Sequence, residues 1–255
     1  MILSAVNALI VLYLAAPIVV VVATAFTTTN YPVFPPVGFT LHWFERFLSN
    51  SQFVDSIQRS IVLAVDCTAI ACCLGALSAI GLVRWRGWGR NAVSAFMLSP
   101  IMFPTIVLGL ALLVFYSRIG LSGTFTGLVI AHSVIATPFV IRLVMASMAE
   151  FDPTVEEAAR NLGAGWARTF LLVTLPLIRP GVLAGGVFAF ILSFDELVVT
   201  LFLAGPDMTT LPIRIFTFVE YSSEPTISAI ATTLIVAWML VGIPVYTRFL
   251  SVRHG

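Results

Sequence analysis

The sequence predicts an all-α membrane protein with six transmembrane helices, and three observations support this fold class. Of the 255 residues, 59% are apolar and only 10% are charged, more apolar side chain than one soluble core of this length could enclose. The apolar residues form long stretches of about 20 residues or more, which cross about 30 Å of hydrocarbon as helices. The charges cluster between these stretches, which disfavours the alternative of a soluble protein with an oversized core.

The six predicted spans are continuous helices, because a helix satisfies its own backbone groups in lipid. Their approximate ranges are 2–26, 57–83, 92–116, 125–145, 181–203 and 227–250. Pro100 and Pro104 interrupt the third span and predict a kink there. No internal repeat is evident, so we expect a single domain over 1–255.

The first apolar stretch has one feature of a cleaved signal peptide, since Ala23-Thr24-Ala25 resembles a cleavage site. Its apolar part is too long for a signal peptide, however, and no basic residue precedes it. We therefore interpret this stretch as the first span.

The arginines orient the predicted spans, because basic residues accumulate on the cytoplasmic side of short loops. With the N-terminus inside, the cytoplasmic segments hold Arg84, Arg86, Arg90, Arg142, Arg160, Arg168, Arg179, Arg248 and Arg253. The outer segments then hold Arg46, Arg59, Arg118 and Arg214. This bias predicts that both termini are cytoplasmic. The two long outer loops, about 27–56 and 204–226, could receive a soluble partner or could be plain solvated connections.

All thirteen basic residues are arginine, and the absence of lysine excludes several functions. A phosphate-binding loop ending in Gly-Lys-Ser/Thr cannot be built, and neither can a Schiff-base lysine. Any nucleotide that drives this protein must therefore bind to a partner chain. Cys67, Cys72 and Cys73 lie in one apolar run without zinc-ligand spacing, so no metal site is predicted.

The connection between the fourth and fifth spans, about 149–180, predicts two short helices. Asp152 is a favourable N-cap, Pro153 suits the first helical position, and Gly163 can adopt the left-handed conformation that ends a helix. The first of these helices is therefore marked at both ends.

This helix is expected to have two different faces. Apolar residues at i, i+3, i+4 and i+7 form a narrow stripe of Val155, Ala158, Ala159 and Leu162. Glu156 and Arg160 are spaced to form an i, i+4 ion pair on another face. Such a helix suits either a partner protein or the membrane surface, and the periodicity alone leaves both open.

At these residues the sequence resembles the permeases of binding-protein-dependent ABC importers. Their cytoplasmic signature is Glu-Ala-Ala, then Gly after three residues, then Ile-x-Leu-Pro after nine more. Here it reads Glu157-Ala158-Ala159, Gly163 and Val173-Thr174-Leu175-Pro176. Every spacing matches, and valine in place of isoleucine is the one departure.

The resemblance implies the type I ABC importer permease fold, in which this segment is the coupling helix that docks on an ATPase subunit. The residues it assigns to this contact are Glu157, Ala158, Ala159 and Gly163, with Arg160 and Leu162 beside them. It implies no catalytic residue in this chain, with ATP and Mg bound by two partner ATPase subunits. The other expected partners are a second, related permease, a periplasmic solute-binding protein and the lipid of a bacterial inner membrane, and no nucleic acid.

The resemblance extends through Ser193-Phe194-Asp195-Glu196-Leu197-Val198-Val199 and on through Leu211-Pro212. This looks like the C-type permeases of the spermidine and putrescine branch. Branches for opines, aminoethylphosphonate and ferric iron share much of this pattern and remain alternatives for the solute.

Three acidic residues, Asp66, Asp195 and Glu196, fall inside predicted spans, where each costs about 2.5 to 3.5 kcal/mol on insertion scales. We hypothesise that Glu196, helped by Asp195, attracts a cationic amine into a pathway. Alternatively, these carboxylates pair with Arg214 or with an arginine of a partner permease and hold helices together. Asp66 is the weaker candidate, since a neighbouring hydroxyl would satisfy it.

A continuous fifth span would place a polar stripe on one helical face, which suits a solute pathway or a close helix contact. The residues sharing this face would be Ser193, Glu196, Thr200, Gly186 and Ala189, with Asp195 pointing about 100° away. His132 in the fourth span is expected to be a packed, hydrogen-bonded residue rather than a proton relay.

Two functions of other classes compete with a transport subunit. The first is a gradient-driven carrier in which Asp195, Glu196 or His132 exchanges protons, but the inverted repeat of many such carriers is missing. The second is an intramembrane enzyme with Asp66 and Asp195 as an acid dyad, which nothing in the spacing demands.

Overall fold

The computed structural model describes residues 2–149, 152 and 154–252, and the regular elements in these ranges are all helical. In chain order the α-helices are α1 (Ile2–Thr24), α2 (His42–Ser49), α3 (Ser51–Arg84), α4 (Arg90–Leu98), α5 (Thr105–Ile119), α6 (Phe125–Ala149), α7 (Thr154–Asn161), α8 (Trp166–Thr169), α9 (Leu175–Asp195), α10 (Val198–Leu203), α11 (Leu211–Tyr221) and α12 (Thr226–Val252). A 3-10 turn, Ser99–Met102, follows α4, and a π-helical segment, Phe170–Thr174, joins α8 to α9.

The packing divides the chain into two compact units. The first combines Met1–Ser56 with Arg214–Gly255, and in it α12 packs on α1 and α2. The Thr24 hydroxyl donates to the Ser228 hydroxyl at 3.1 Å and so ties α1 to α12. The indole N–H of Trp43 on α2 donates to a backbone carbonyl just beyond α1, at 2.7 Å.

The second unit, Ile57–Ile213, contains most of the apolar core. Its central pair is α6 and α9, which approach closely because glycines face the partner helix. A Cβ built on Gly181 would lie 2.6 Å from Ser147 Cβ, and one on Gly185 would lie 3.1 Å from Val140 Cγ1. Only a residue without a side chain fits Gly181 unless the helices move apart.

In the described part of the chain, four helices are long and apolar enough to cross a membrane. They are Leu3–Thr24, Ser51–Arg84, Phe125–Ala149 and Trp166–Asp195, and a bent pair raises the number to five if it counts as one span. The sixth predicted span, 227–250, coincides with α12, whose segment Thr226–Leu240 is a shorter apolar helix. The helical membrane class is therefore confirmed.

The third predicted span, 92–116, is that bent pair rather than one helix. Arg90–Met102 meets α5 at 104°. Phe103 and Pro104 at the corner have extended backbone, with ψ of 138° and 132°. Proline disfavours helix at the residue before it and has no N–H to continue the ladder, so the helix stops there. The predicted interruption is confirmed in place, and the structure gives its angle.

The fifth predicted span, 181–203, is two helices rather than one: the first starts earlier than predicted, and the second ends at the predicted limit, Leu203. Helix α9 starts at Leu175 and ends at Asp195, and α10 resumes only at Val198. Glu196 between them is extended, with φ −70° and ψ 109°. The span is therefore broken close to the acidic residues singled out in the sequence.

Candidate functional site

The first candidate site is helix α7, whose two ends are as predicted. The backbone N–H of Thr154 donates to Asp152 Oδ1 at 2.9 Å, and this hydrogen bond lowers the pKa of the Asp152 carboxyl. Gly163 has φ +86°, and its N–H donates to the Arg160 carbonyl at 2.9 Å, so the left-handed helix end is confirmed. Pro153, predicted at the first helical position, lies outside the described residues.

The predicted apolar stripe of α7 faces outward. Val155 is 46% exposed and Leu162, just past the helix end, is 89% exposed. Ala158 is exposed and Ala159 half-buried between them. Exposed apolar residues on a short helix with well-formed ends mark a contact surface rather than part of the chain's own core.

The charged residues in and beside the signature share this outward exposure. Glu157 and Arg160 are both exposed, and Gly163 has open space where a Cβ would be. The exposed surface formed by Glu157, Ala158, Ala159, Arg160, Leu162 and Gly163 is called the α7 face below. It combines small residues, which allow close approach of another backbone, with two charges.

One prediction for α7 is wrong: Glu156 does not pair with Arg160. Its carboxylate instead pairs with the guanidinium of Arg84, the last residue of α3, with Nη2–Oε1 at 2.5 Å. The Thr174 hydroxyl donates to the same carboxylate oxygen. The i, i+4 spacing was correct, but the Glu156 side chain is directed toward its own protein, where a partner from α3 is closer.

Arg84 and Thr174 are functional candidates that the sequence reasoning missed. Thr174 stands at the variable position of the Val-Thr-Leu-Pro segment and is buried at the end of the π-helical segment. The sequence feature that could have indicated Thr174 was its hydroxyl, one residue before the Leu-Pro pair at the start of α9. Arg84 was counted only as a topology marker.

The second candidate site is a polar cluster at the break between α9 and α10. His132 on α6 is 2% exposed, and its two ring nitrogens bridge the break. Nδ1 lies 2.8 Å from Ser193 Oγ and Nε2 lies 3.0 Å from Thr200 Oγ1. The Thr200 hydroxyl donates to the Glu196 carbonyl at 2.7 Å, so it accepts its bond from Nε2–H. The prediction that His132 is packed and hydrogen-bonded is confirmed.

The structure brings Ser193 and Thr200 together, but not along one continuous helix face. Both contact His132 because the chain bends between them, so the predicted stripe with Gly186 and Ala189 ends at Asp195. At the break, the Thr200 hydroxyl satisfies the Glu196 carbonyl and the Glu196 carboxylate satisfies the Val199 N–H, which the interrupted helix does not pair.

Glu196 and Asp195 differ in their surroundings. Glu196 Oε1 accepts the backbone N–H of Val199 at 2.9 Å, which caps the first turn of α10. Asp195 is exposed at the C-terminal end of α9, where the helix dipole is negative. Two carboxylates and a helix C-terminus thus concentrate negative charge at this break.

Two other residues considered in the sequence analysis, Asp66 and Arg214, take no part in the hydrogen bonds around the break. Asp66 on α3 is half-buried, and in the described ranges no hydrogen bond or ion pair joins its side chain to another group. The Arg214 guanidinium donates to Gln52 Oε1 at 3.1 Å within the first unit. Among the described residues no group of three His, Cys, Asp or Glu side chains could hold a metal ion.

Apolar spanning helices, a polar break inside one of them and an exposed helix carrying the Glu-Ala-Ala signature define the permease subunit of an ABC importer. The chain belongs to the family described as "Binding-protein-dependent transport system inner membrane component", which matches residues 71–251. Members of this family are non-catalytic transport components that act with an ATPase and a binding protein.

Two relatives with named solutes are similar to this chain over most of its length. The chain is 33% identical to the "Spermidine/putrescine transport system permease protein PotC" of Escherichia coli (strain K12), covering 88% of this chain and 84% of the relative. It is 31% identical to the "Putrescine transport system permease protein PotI" of the same organism, covering 90% and 84%. Over most of its length the chain is thus similar to permeases named for polyamines.

A solved structure supports the fold. A bacterial ABC transporter involved in the import of the acidic polysaccharide alginate matches with a TM-score of 0.76 and 19% identity, covering 97% of this chain and 96% of that one. At this identity the match speaks for the fold alone, and the acidic cargo of that transporter indicates nothing about the solute of this chain.

Proposed function

We propose that this chain forms half of the pathway of an ABC importer for a small cationic solute such as spermidine or putrescine, driven by ATP hydrolysis in a separate subunit. The observation that carries the proposal is the α7 face, an outward apolar surface on a capped helix with the Glu-Ala-Ala signature. Together with the Glu-Ala-Ala signature, such an unburied surface supports a protein partner over a position along the membrane surface.

The partner of the α7 face is the ATPase. Glu157, Ala158, Ala159, Leu162 and Gly163 contact it, and the neighbouring Arg160 adds a charge at the rim. ATP and Mg bind to two copies of this subunit, which agrees with the absence of lysine, and hence of a Gly-Lys-Ser/Thr loop, from this chain.

The assembly lies in a bacterial inner membrane. The arginine distribution supports six spans in one permease domain with both termini cytoplasmic. In that topology α7 lies on the ATPase side, and the two long outer loops receive a solute-loaded periplasmic binding protein. A second, related permease completes the pathway.

The pathway residues of this chain are those at the break after α9, with Asp66 as a further candidate. Non-helical backbone is tolerated at membrane depth only where it is buried in protein or lines a water-filled cavity. Glu196 and Asp195 at the negative end of α9 make this point attractive to an ammonium group. Ser193 and Thr200 fix the geometry of the break, because His132 bonds to both of them across it.

The names of the relatives support a polyamine solute, and both polyamines are cations that suit these carboxylates. The same assembly importing an opine, aminoethylphosphonate or ferric iron is the alternative from related branches. A proton-coupled carrier is a weaker alternative, because it would need no ATPase and would leave the α7 face without a role.

Reconstitution tests the proposal. The chain is purified together with the ATPase, the second permease and the binding protein that are encoded in the neighbouring reading frames. The assembly is placed in liposomes that contain ATP. We expect uptake of labelled spermidine or putrescine that stops when ATP or the ATPase is omitted. Uptake by this chain alone, driven by a proton gradient, would establish the carrier instead.

A further inference from the structure

Glu156 occupies an unusual place in α7. Of the eight residues of this helix, all of them described, Glu156 alone is buried, while apolar Val155 is exposed. The helix therefore reverses the usual arrangement, in which apolar residues attach a helix to its own protein and charges face out. Its attachment to the rest of the chain passes through a charged group.

That attachment joins three elements. The Glu156 carboxylate accepts from Arg84 Nη2, at the last residue of α3, and from the Thr174 hydroxyl, at the last residue before α9. Arg84 Nη2 also lies 3.4 Å from Thr174 Oγ1, which closes the triangle. The Glu156 side chain is 11% exposed and that of Arg84 is 32% exposed, so water reaches only part of the cluster. The three side chains are called the Arg84–Glu156–Thr174 node.

The node is suited to transmitting movement. Charge-assisted hydrogen bonds fix both distance and direction, whereas apolar contacts allow sliding. The two helices that meet α7 here are the long spans α3 and α9. Thr174 also ends a π-helical segment, a local irregularity that often occurs at functional positions.

We infer that Arg84, Glu156 and Thr174 are positioning residues that make α7 move as one body with the cytoplasmic ends of α3 and α9. The inference rests on the proposed function, since it needs an ATPase that moves α7. The α7 face then receives the ATPase, and the node, through the buried Glu156 of the same helix, passes the displacement to the two spans. Loss of the node uncouples ATP hydrolysis from transport without removing the docking surface.

The test uses the full reconstituted importer and compares Arg84→Met and Glu156→Gln with the control Arg86→Met. Arg86 is exposed two residues away and belongs to no described ion pair. The measurement is the number of spermidine molecules imported per ATP hydrolysed, together with the amount of ATPase that co-purifies. We expect both node variants to retain the ATPase and to lower this ratio at least about threefold, with Arg86→Met at the wild-type value.

Two outcomes would overturn the inference. One is an unchanged ratio in both node variants. The other is a loss of assembled importer with a wild-type ratio in the importer that does assemble, which would make the node merely structural. If the wild-type chain retained no ATPase, the proposed function itself would be contradicted. Failure of the inference and failure of the proposed function are therefore distinguishable.

A second measurement needs no knowledge of the solute. Spin labels are placed at Thr154→Cys on α7 and Gly81→Cys on α3, after the three native cysteines are replaced by alanine. Both positions are exposed, and a Cβ at Gly81 meets nothing within 4 Å. We expect one label distance in ATP-free and vanadate-trapped importer, and a shifted or broadened distance once Arg84→Met is added. Equal distances with and without Arg84→Met would contradict rigid coupling.

Discussion

Glu156 in α7 is buried and Glu196 at the break after α9 is half-buried, and the partners of the two carboxylates differ. Glu156 is neutralised by the guanidinium of Arg84 and a hydroxyl. Glu196 accepts a backbone N–H and has no arginine or histidine within ion-pair distance in the described residues. The first carboxylate is already paired with an arginine of its own chain, whereas the second has no cationic side-chain partner among the described residues and is accessible to a mobile cation.

The difference shows how one chain uses the same side chain for two purposes. A paired carboxylate resists displacement because removal of one partner leaves an uncompensated charge. A carboxylate held only by backbone dipoles can exchange water for an ammonium group at little cost. The predictions below test this contrast between the α7 segment and the break, from the largest effect to the smallest.

The largest effect is expected on the α7 face. Ala158→Trp adds a bulky side chain where the partner backbone would approach, and it leaves the node untouched. We expect about tenfold or greater loss of co-purified ATPase, which corresponds to about 1.4 kcal/mol or more of binding free energy. Ala5→Trp, on the exposed surface of α1, is the matched control. Equal ATPase recovery from both variants would remove the α7 face from the interface.

The next effect concerns the break. Glu196→Gln removes the unpaired charge but keeps an acceptor for the Val199 N–H. We expect the KM for spermidine uptake to rise about tenfold, since focusing by a local charge is lost. Asp195→Asn, at the exposed neighbour, should have a smaller effect of the same sign. A wild-type KM in an assembled Glu196→Gln importer would show that this carboxylate is only a helix cap.

Helix α9 connects the two regions, and its packing against α6 is expected to be sensitive. Gly181→Ala places a Cβ 2.6 Å from Ser147 Cβ and 2.8 Å from the Leu143 carbonyl oxygen. We expect a destabilisation of about 1 to 3 kcal/mol, visible as a lower Tm in detergent. Gly81→Ala is the control, because its Cβ meets open space and alanine favours a helix. A Tm for Gly181→Ala as high as that control would mean that the helices separate freely.

The smallest effect is expected at His132. His132→Leu leaves Ser193 Oγ and Thr200 Oγ1 without their ring partner, although Thr200 keeps its bond to the Glu196 carbonyl. We expect a loss of about 1 to 2 kcal/mol of stability, measured as a Tm shift. His42→Leu, at an exposed histidine on α2, is the control. Identical shifts in the two variants would mean that the bridge across the break contributes nothing.

The sequence predicted the α7 segment better than the break. Asp152, Gly163 and the apolar stripe depend on local rules of capping and periodicity, and these need no knowledge of the rest of the fold. The direction of Glu156 was missed because spacing along one helix carries no information about α3. Tertiary contacts overrode a correct local pattern.

The break itself was missed for a different reason. Residues 195–197 contain neither proline nor glycine, and the surrounding run is apolar, so hydropathy alone indicates an unbroken helix. The pattern that could have indicated the break was chemical. Asp195 and Glu196 are adjacent within one predicted span, and the hydroxyl residues Ser193 and Thr200 lie nearby. At the third span, by contrast, Pro104 indicated the interruption in the sequence, and the structure adds its angle of 104°.

The corner before α5 has a consequence for the surrounding bilayer. Helix α5 has 15 residues, which reach about 22 Å at helical rise and fall short of about 30 Å of hydrocarbon. The part of the bent pair before the corner therefore has to supply the remaining length of about 8 Å if the pair is one span. Where α5 meets lipid alone, its short length is accommodated by local thinning of the bilayer, by snorkelling of flanking residues or by association with other helices.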